Sequence, residues 1–232
     1  MKRHFYYLVL AFTAICMVTS CGNKKQSAED DDEDDTVKVE KTDEKAVSQD
    51  QKAQPEIEYS DELKQRAENR DPEAMFQLGR CYMEGWGIEE NEHEAASMIG
   101  KAAILKHAEA QCYLGEFYLY GYGLPKSETS AAKWFKKSAE QGFAAGQFNL
   151  GKCYALGEGV EEDVREAAKW FKKAADQGNA EGEYFYGMAL LEGDGLAKNV
   201  DEGLEWIKKA AAQGQPQAIE ELKNLPKEQA KN

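Results

Sequence analysis

His93 and His107, with Cys81, Cys112 and Cys153, are the side chains beyond residue 21 best suited to hold a transition metal or to act as nucleophile and base. A zinc centre or a catalytic triad needs such groups in sets, at spacings that bring them together. Neither histidine has a cysteine or carboxylate partner in phase with it. The cysteines stand where apolar residues stand elsewhere at multiples of 36 residues. Cys81 and Cys153 alternate with Phe117 and Ala189, and Cys112 with Phe76, Phe148 and Tyr184. They therefore read as small core residues. Their odd number, with no recurring pair, argues against a disulfide even in an oxidising compartment. Four Gly-x-Gly pairs follow helical patterns rather than strands, so they do not form a phosphate cradle. No cofactor, no metal and no catalytic constellation is expected.

Recognition is the chemistry that remains. One helical stripe, at steps of four, three and four, changes character along the chain. It reads Glu73-Gln77-Arg80-Glu84, then Glu109-Tyr113-Glu116-Tyr120, then Ala145-Asn149-Lys152-Leu156, then Glu181-Phe185-Met188-Glu192. Those steps place each set on one helical face. A neighbouring stripe, Ala74, Leu78, Tyr82 and their equivalents, hardly varies and is expected to be core. A face that varies while the core repeats is a candidate partner-binding groove. Tyr113, Tyr120, Phe185 and Met188 would be its apolar anchors, and Gln77, Arg80, Glu116, Asn149 and Lys152 its polar contacts. A solvated face that tolerates any residue accounts for the same variation.

The elements that position this stripe follow from a strict period. Leu78-Gly79, Leu114-Gly115, Leu150-Gly151 and Tyr186-Gly187 recur every 36 residues without insertion. Each opens the second half of a helical pattern that ends in a Gly-x-Gly turn: Gly85-Trp86-Gly87, Gly121-Tyr122-Gly123, Gly157-Glu158-Gly159, Gly193-Asp194-Gly195. An apolar plug follows: Ile88, Leu124, Val160, Leu196. A second helix then starts at Asn91, Ser127, Asp163 or Asn199. Glu94, Glu166 and Glu202, three residues on, make three of the four starts capping boxes. In copies two and three the second helix reads Ala-Ala-Lys-Trp-Phe-Lys-Lys, from Ala131 and from Ala167. Gln-Gly closes three copies at Gly142, Gly178 and Gly214, and copy one ends on Lys106 instead. A mid-helix glycine costs about 1 kcal/mol relative to alanine. Four at one phase imply close helix approach, with the Ala-Ala pairs as the matching small residues.

These motifs resemble the Sel-1-like repeat of the tetratricopeptide superfamily, over roughly Tyr59 to Leu225. The resemblance implies an all-α, right-handed α-solenoid of antiparallel helix pairs with a protein- or peptide-binding role. Four units at about 73–108, 109–144, 145–180 and 181–216 are expected within a repeat domain spanning 59–226, with capping helices at Tyr59 to Asn69 and Gln217 to Leu225. A tail, 227–232, follows. In such stacks the first helices commonly line the concave side. Cysteine-rich relatives of this repeat carry regular cysteine pairs that this chain lacks, so their penicillin binding is not carried over.

Residues 1–20 read as a secretory signal, with Lys2 and Arg3 ahead of an apolar run from Phe5 to Val18. Val18-Thr19-Ser20-Cys21 resembles a bacterial lipobox, which implies lipidation of Cys21. The apolar run is short of the ~20 residues a spanning helix needs. Gly22 after the cysteine favours the outer membrane of the cell envelope, on the periplasmic or the surface side. Residues 21–58, with the acidic run 29–35, have the composition of a solvated tether; a calcium site and a surface-sorting signal are sharper alternatives. The formal charge of −14 leaves no basic footprint for nucleic acid. The expected protein is a monomeric, non-enzymatic scaffold whose membrane contact is through its N-terminal lipid. A peptidoglycan- or carbohydrate-facing module, using Trp86 and Tyr122, is the alternative. A hydrolase is disfavoured.

Overall fold

The computed structural model describes residues 58–224. These form ten α-helices and no strand: α1 (Asp61–Glu68), α2 (Pro72–Glu84), α3 (Glu92–Ile104), α4 (Ala108–Tyr120), α5 (Glu128–Glu140), α6 (Ala144–Leu156), α7 (Val164–Ala175), α8 (Ala180–Glu192), α9 (Val200–Ala212) and α10 (Pro216–Asn224). Each helix packs on the one before and the one after, so the pairs α2/α3, α4/α5, α6/α7 and α8/α9 stack into an α-solenoid. The first helices α4 and α6 also touch each other directly, which no two second helices do to the same extent. The side on which α4 and α6 meet is taken as the inner side of the stack.

The starts of the second helices follow the sequence in part. Asn91, Ser127, Asp163 and Asn199 are the N-caps, and each side chain accepts from the backbone N–H three residues on. The reciprocal half of a capping box is absent, because the cap's own N–H is used elsewhere. It donates to the last turn of the preceding helix, at Tyr82 O, Tyr118 O, Tyr154 O and Leu190 O. This bond folds each turn back on its helix, and the plugs Ile88, Leu124, Val160 and Leu196 pack against the core beneath.

The notch at each mid-helix glycine is filled by a large side chain, not by the Ala-Ala pair. A Cβ on Gly151 would stand 2.6 Å from the Phe171 ring, and one on Gly115 2.6 Å from Phe135. Ile99 and Ile207 do the same at Gly79 and Gly187. The alanines line the contact around them, all buried. Copy four has Gly203 where the others have alanine, because a Cβ there would meet Gly187 O at 2.8 Å.

A polar rung, not anticipated from the sequence, ties the two helices of three copies together. Gln141 Nε2 donates to Gln111 Oε1 at 2.7 Å, Gln177 to Gln147 at 2.8 Å, and Gln213 to Glu183 at 2.8 Å. Copy one carries Met75 and Leu105 at these phases, an apolar pair in place of the polar one. On the outer side, Lys137, Lys173 and Lys209 lie over Trp134, Trp170 and Trp206, at 3.7, 3.6 and 3.7 Å from the ring centroids. Copy one has Met98 there, with Lys101 Nζ 3.8 Å from its sulfur.

Lys106 adopts the left-handed conformation of Gly142, Gly178 and Gly214, with φ 67°. Copy one therefore keeps the exit turn at a steric cost. Lys106→Gly is expected to stabilise the protein by about 1 kcal/mol, read as a higher urea midpoint at unchanged slope.

Candidate partner-binding site

The inner face is built by α2, α4, α6 and α8, and the structure splits the expected stripe into two unlike halves. In the N-terminal half it is partly exposed. Gln77 Nε2 donates to Glu73 Oε1 at 2.7 Å. The Arg80 guanidinium lies 4.9 Å from the centroid of Trp86 and 6.0 Å from that of Phe76. Its Nε is buried without a hydrogen-bond partner. Tyr113 meets Phe76 edge-on at 5.3 Å. Tyr120 sits 5.7 Å from Tyr122, which is 41% exposed and also edges Phe117. Arg80, Tyr113, Tyr120, Trp86 and Tyr122 thus form a partly exposed aromatic and cationic surface over copies one and two.

The C-terminal half departs from expectation. Phe185 is 1% exposed, stacked against Phe171 at 5.4 Å and tilted against Phe148 at 5.5 Å. Met188 is 5% exposed within the same cluster. They are core residues, not groove anchors. The reason is the crowding around α8. Residues 182–190 are all buried, between α7, α9 and the closing helix α10, whose Ala218 joins the same cluster. Lys152, expected as a polar contact, is also buried, at 5% exposure.

Lys152 belongs to a polar cluster between α4 and α6. Asn149 Nδ2 donates to Glu116 Oε1 at 3.2 Å and lies 3.5 Å from Cys112 Sγ. Burial pushes the Glu116 carboxyl above its ordinary value; the Asn149 bond and the Lys152 charge oppose that shift. A carboxyl that binds its proton more tightly in the folded state adds stability below its unfolded pKa and loses it as pH rises through the folded one. The stability of the wild type minus that of Glu116→Gln is therefore expected to fall as pH rises above the usual carboxylate range. Urea titrations across that window test the sign, and a difference that climbs with pH contradicts it.

The phase of Gln77, Tyr113, Asn149 and Phe185 has a structural role that its variation concealed. Each of the last three contacts the residue one phase earlier in the preceding copy: Tyr113 with Phe76, Asn149 with Cys112, Phe185 with Phe148.

The histidines are structural. His107 caps α4 by accepting from Ala110 N at Nδ1, so its proton is on Nε2, 2.8 Å from Glu73 Oε2. His93 Nδ1 donates to Gly123 O at 2.9 Å, tying copy one to the turn of copy two. Cys81, Cys112 and Cys153 are free and buried. Burial pushes the Cys153 thiol up to about 12 and Cys112 well above its ordinary value, so neither offers a thiolate. Among the described residues no group of His, Cys, Asp and Glu is placed to hold a metal.

The Sel1 repeat model matches residues 72–107, 108–143, 144–179 and 180–215, the four helix pairs in turn. The chain belongs to the Sel1 repeat family. Two solved structures are similar along the Sel1 repeats. One is a protective antigen present in uropathogenic Escherichia coli strains that displays an SLR fold. It is 36% identical, with TM-score 0.66, over 69% of this chain and 34% of its own. The other is a Sel1 repeat protein from Oxalobacter formigenes, 30% identical with TM-score 0.64, over 68% of this chain and 62% of its own. The chain thus spans about a third of the length of the first and under two thirds of the second. No curated protein matches it. Sel1 repeat proteins typically mediate protein–protein interaction, on a fold that is generally non-catalytic.

Proposed function

We propose that this chain is a monomeric, non-enzymatic scaffold that receives a protein or peptide partner on the inner face of α2 and α4. The observation that carries the reading is the guanidinium of Arg80. It is held over Trp86 with a buried Nε that makes no hydrogen bond, and it contacts Phe76, as does the partly exposed Tyr113. Arginine and tyrosine fixed in place lose little entropy on binding and are common energetic anchors. Glu116 and Asn149 bond to each other and support this face more than they reach from it.

The composition of the first 58 residues supports an envelope setting for the scaffold. In this reading residues 1–20 are removed, Cys21 carries a lipid in the outer membrane, and residues 21–58 hold repeat domain 59–226 away from it, ahead of tail 227–232. Cys21 and most of that segment lie outside the described residues.

Capture from envelope extract tests the binding face. Tyr113→Ala/Tyr120→Ala is expected to lose most of the protein retained by the wild type, at matched helical content. An unchanged set of partners removes this face from consideration. The exposed Tyr122 beside Tyr120 favours one second reading, a sugar-stacking module. Cell-wall fragments that bind the wild type and not Tyr122→Ala, with no protein captured, would put that reading first.

A further inference from the structure

A groove of about 390 Å³ lies on the opposite side of the N-terminal end, between α1, α2 and α3. Its floor is apolar, from Ala67, Met75, Leu78 and Leu105, and Ile104 stands at its edge with 71% exposure. Its rim carries Lys64, Arg70 and Lys101 against one acid, Glu68. Comparison among the four copies shows how it arises. Met98 is smaller than Trp134, Trp170 and Trp206. Gly100 replaces three lysines, and a Cβ there would meet nothing within 4 Å. Ile104 stands where the others have Glu140, Asp176 and Ala212. Met75 and Leu105 replace the polar rung. Four residues of its lining, Met75, Met98, Ile104 and Leu105, have moved toward smaller or more apolar side chains in this copy; at the phase of Ile104, copy four also lacks a charge, with Ala212. Exposed isoleucine at the edge of an apolar floor marks a surface that is covered when in use.

A net-basic rim in a chain of charge −14 calls for an acidic occupant with aliphatic residues. Such a segment is present in the same chain: the run Glu29-Asp30-Asp31-Asp32-Glu33-Asp34-Asp35, followed by Val37 and Val39. Their i, i+2 spacing would let both valines reach one surface if the segment binds extended. About 20 residues separate Val39 from Asp61, where α1 and the groove begin. They reach up to ~70 Å at ~3.3 Å per residue, and a linker of that kind sets an effective concentration on the order of millimolar. We propose that segment 29–39 docks in this groove, with its valines on the apolar floor and its carboxylates along Lys64, Arg70 and Lys101. The docked segment shortens the reach of the repeat domain and shields a surface separate from the partner-binding face. The proposal stands whether or not that face binds a partner.

Zero-length carbodiimide coupling of the full chain tests it, using equal parts of ¹⁵N-labelled and unlabelled protein. The expected result is isopeptide bonds from carboxylates of 29–35 to Lys64 and Lys101 within one isotope. They should exceed bonds to the exposed Lys133 and Lys198 by roughly fivefold or more. Ile104→Glu/Leu105→Gln, which installs the residues of copy two, should bring that excess down to none. Val37→Asp/Val39→Asp, outside the repeat domain, should do the same. Three results overturn the proposal: coupling spread evenly over all lysines, products of mixed isotope that show a second copy as the occupant, or an excess that survives Val37→Asp/Val39→Asp.

Discussion

Gly159→Ala is expected to destabilise this protein by about 3–4 kcal/mol, whereas Gly178→Ala should cost about 1 kcal/mol. Both glycines are left-handed, at φ 72° and 77°, so both substitutions carry the same backbone strain. They differ in surroundings. A Cβ on Gly159 would stand 2.2 Å from Glu128 O and 2.7 Å from Thr129 N, which are main chain and have no rotamer to change. A Cβ on Gly178 would meet nothing within 4 Å. Gly123 and Gly195 make the same contact with Glu92 O and Val164 O, so the turns of copies two, three and four rest on the start of the previous copy's second helix. Because stacked repeats are held by nearest-neighbour interfaces, the damage should concentrate between copies two and three. The urea transition is expected to broaden or split. Equal costs for the two substitutions would show that the turn contact carries no stability.

Phe185→Ala is the second large effect, a loss of about 3–5 kcal/mol. Phe185 joins three elements through Phe148 of α6 and Phe171 of α7, with Tyr184 beside it at 5.2 Å. Its removal leaves a cavity in the largest core cluster of the C-terminal half. The same variant separates the two roles assigned to its position. Under the core role, partner capture should persist at temperatures where the N-terminal copies stay folded. A groove anchor would instead lose capture with little change in stability.

Much of this architecture was legible in the residues. The 36-residue period, the N-caps and the glycine turns are local features, and local chemistry decides them. The core stripe Ala74 and Leu78 is buried as read, while Tyr82, Tyr118 and Tyr154 are only partly covered. The binding stripe was legible only in its N-terminal half. A helical wheel tells which side a residue faces, but not which side chains of other helices cover that side. Phe185, Met188 and Lys152 face the inner side and are buried there because their neighbours close over them. The contact of Tyr113 with Phe76 or of Phe185 with Phe148 spans 37 residues, beyond any single-helix pattern. The polar rung did leave a signal. Gln111, Gln147 and Glu183 share one phase, Gln141, Gln177 and Gln213 another, and copy one departs at both together.

The seat of these turns on a main-chain carbonyl has an evolutionary corollary. On one side the joint is a main-chain carbonyl, common to every residue, so drift in the second helix leaves it intact; on the other side it requires glycine, because any Cβ would collide with that carbonyl. Gene segments encoding whole modules can then be duplicated, deleted or recombined, and each new junction still closes.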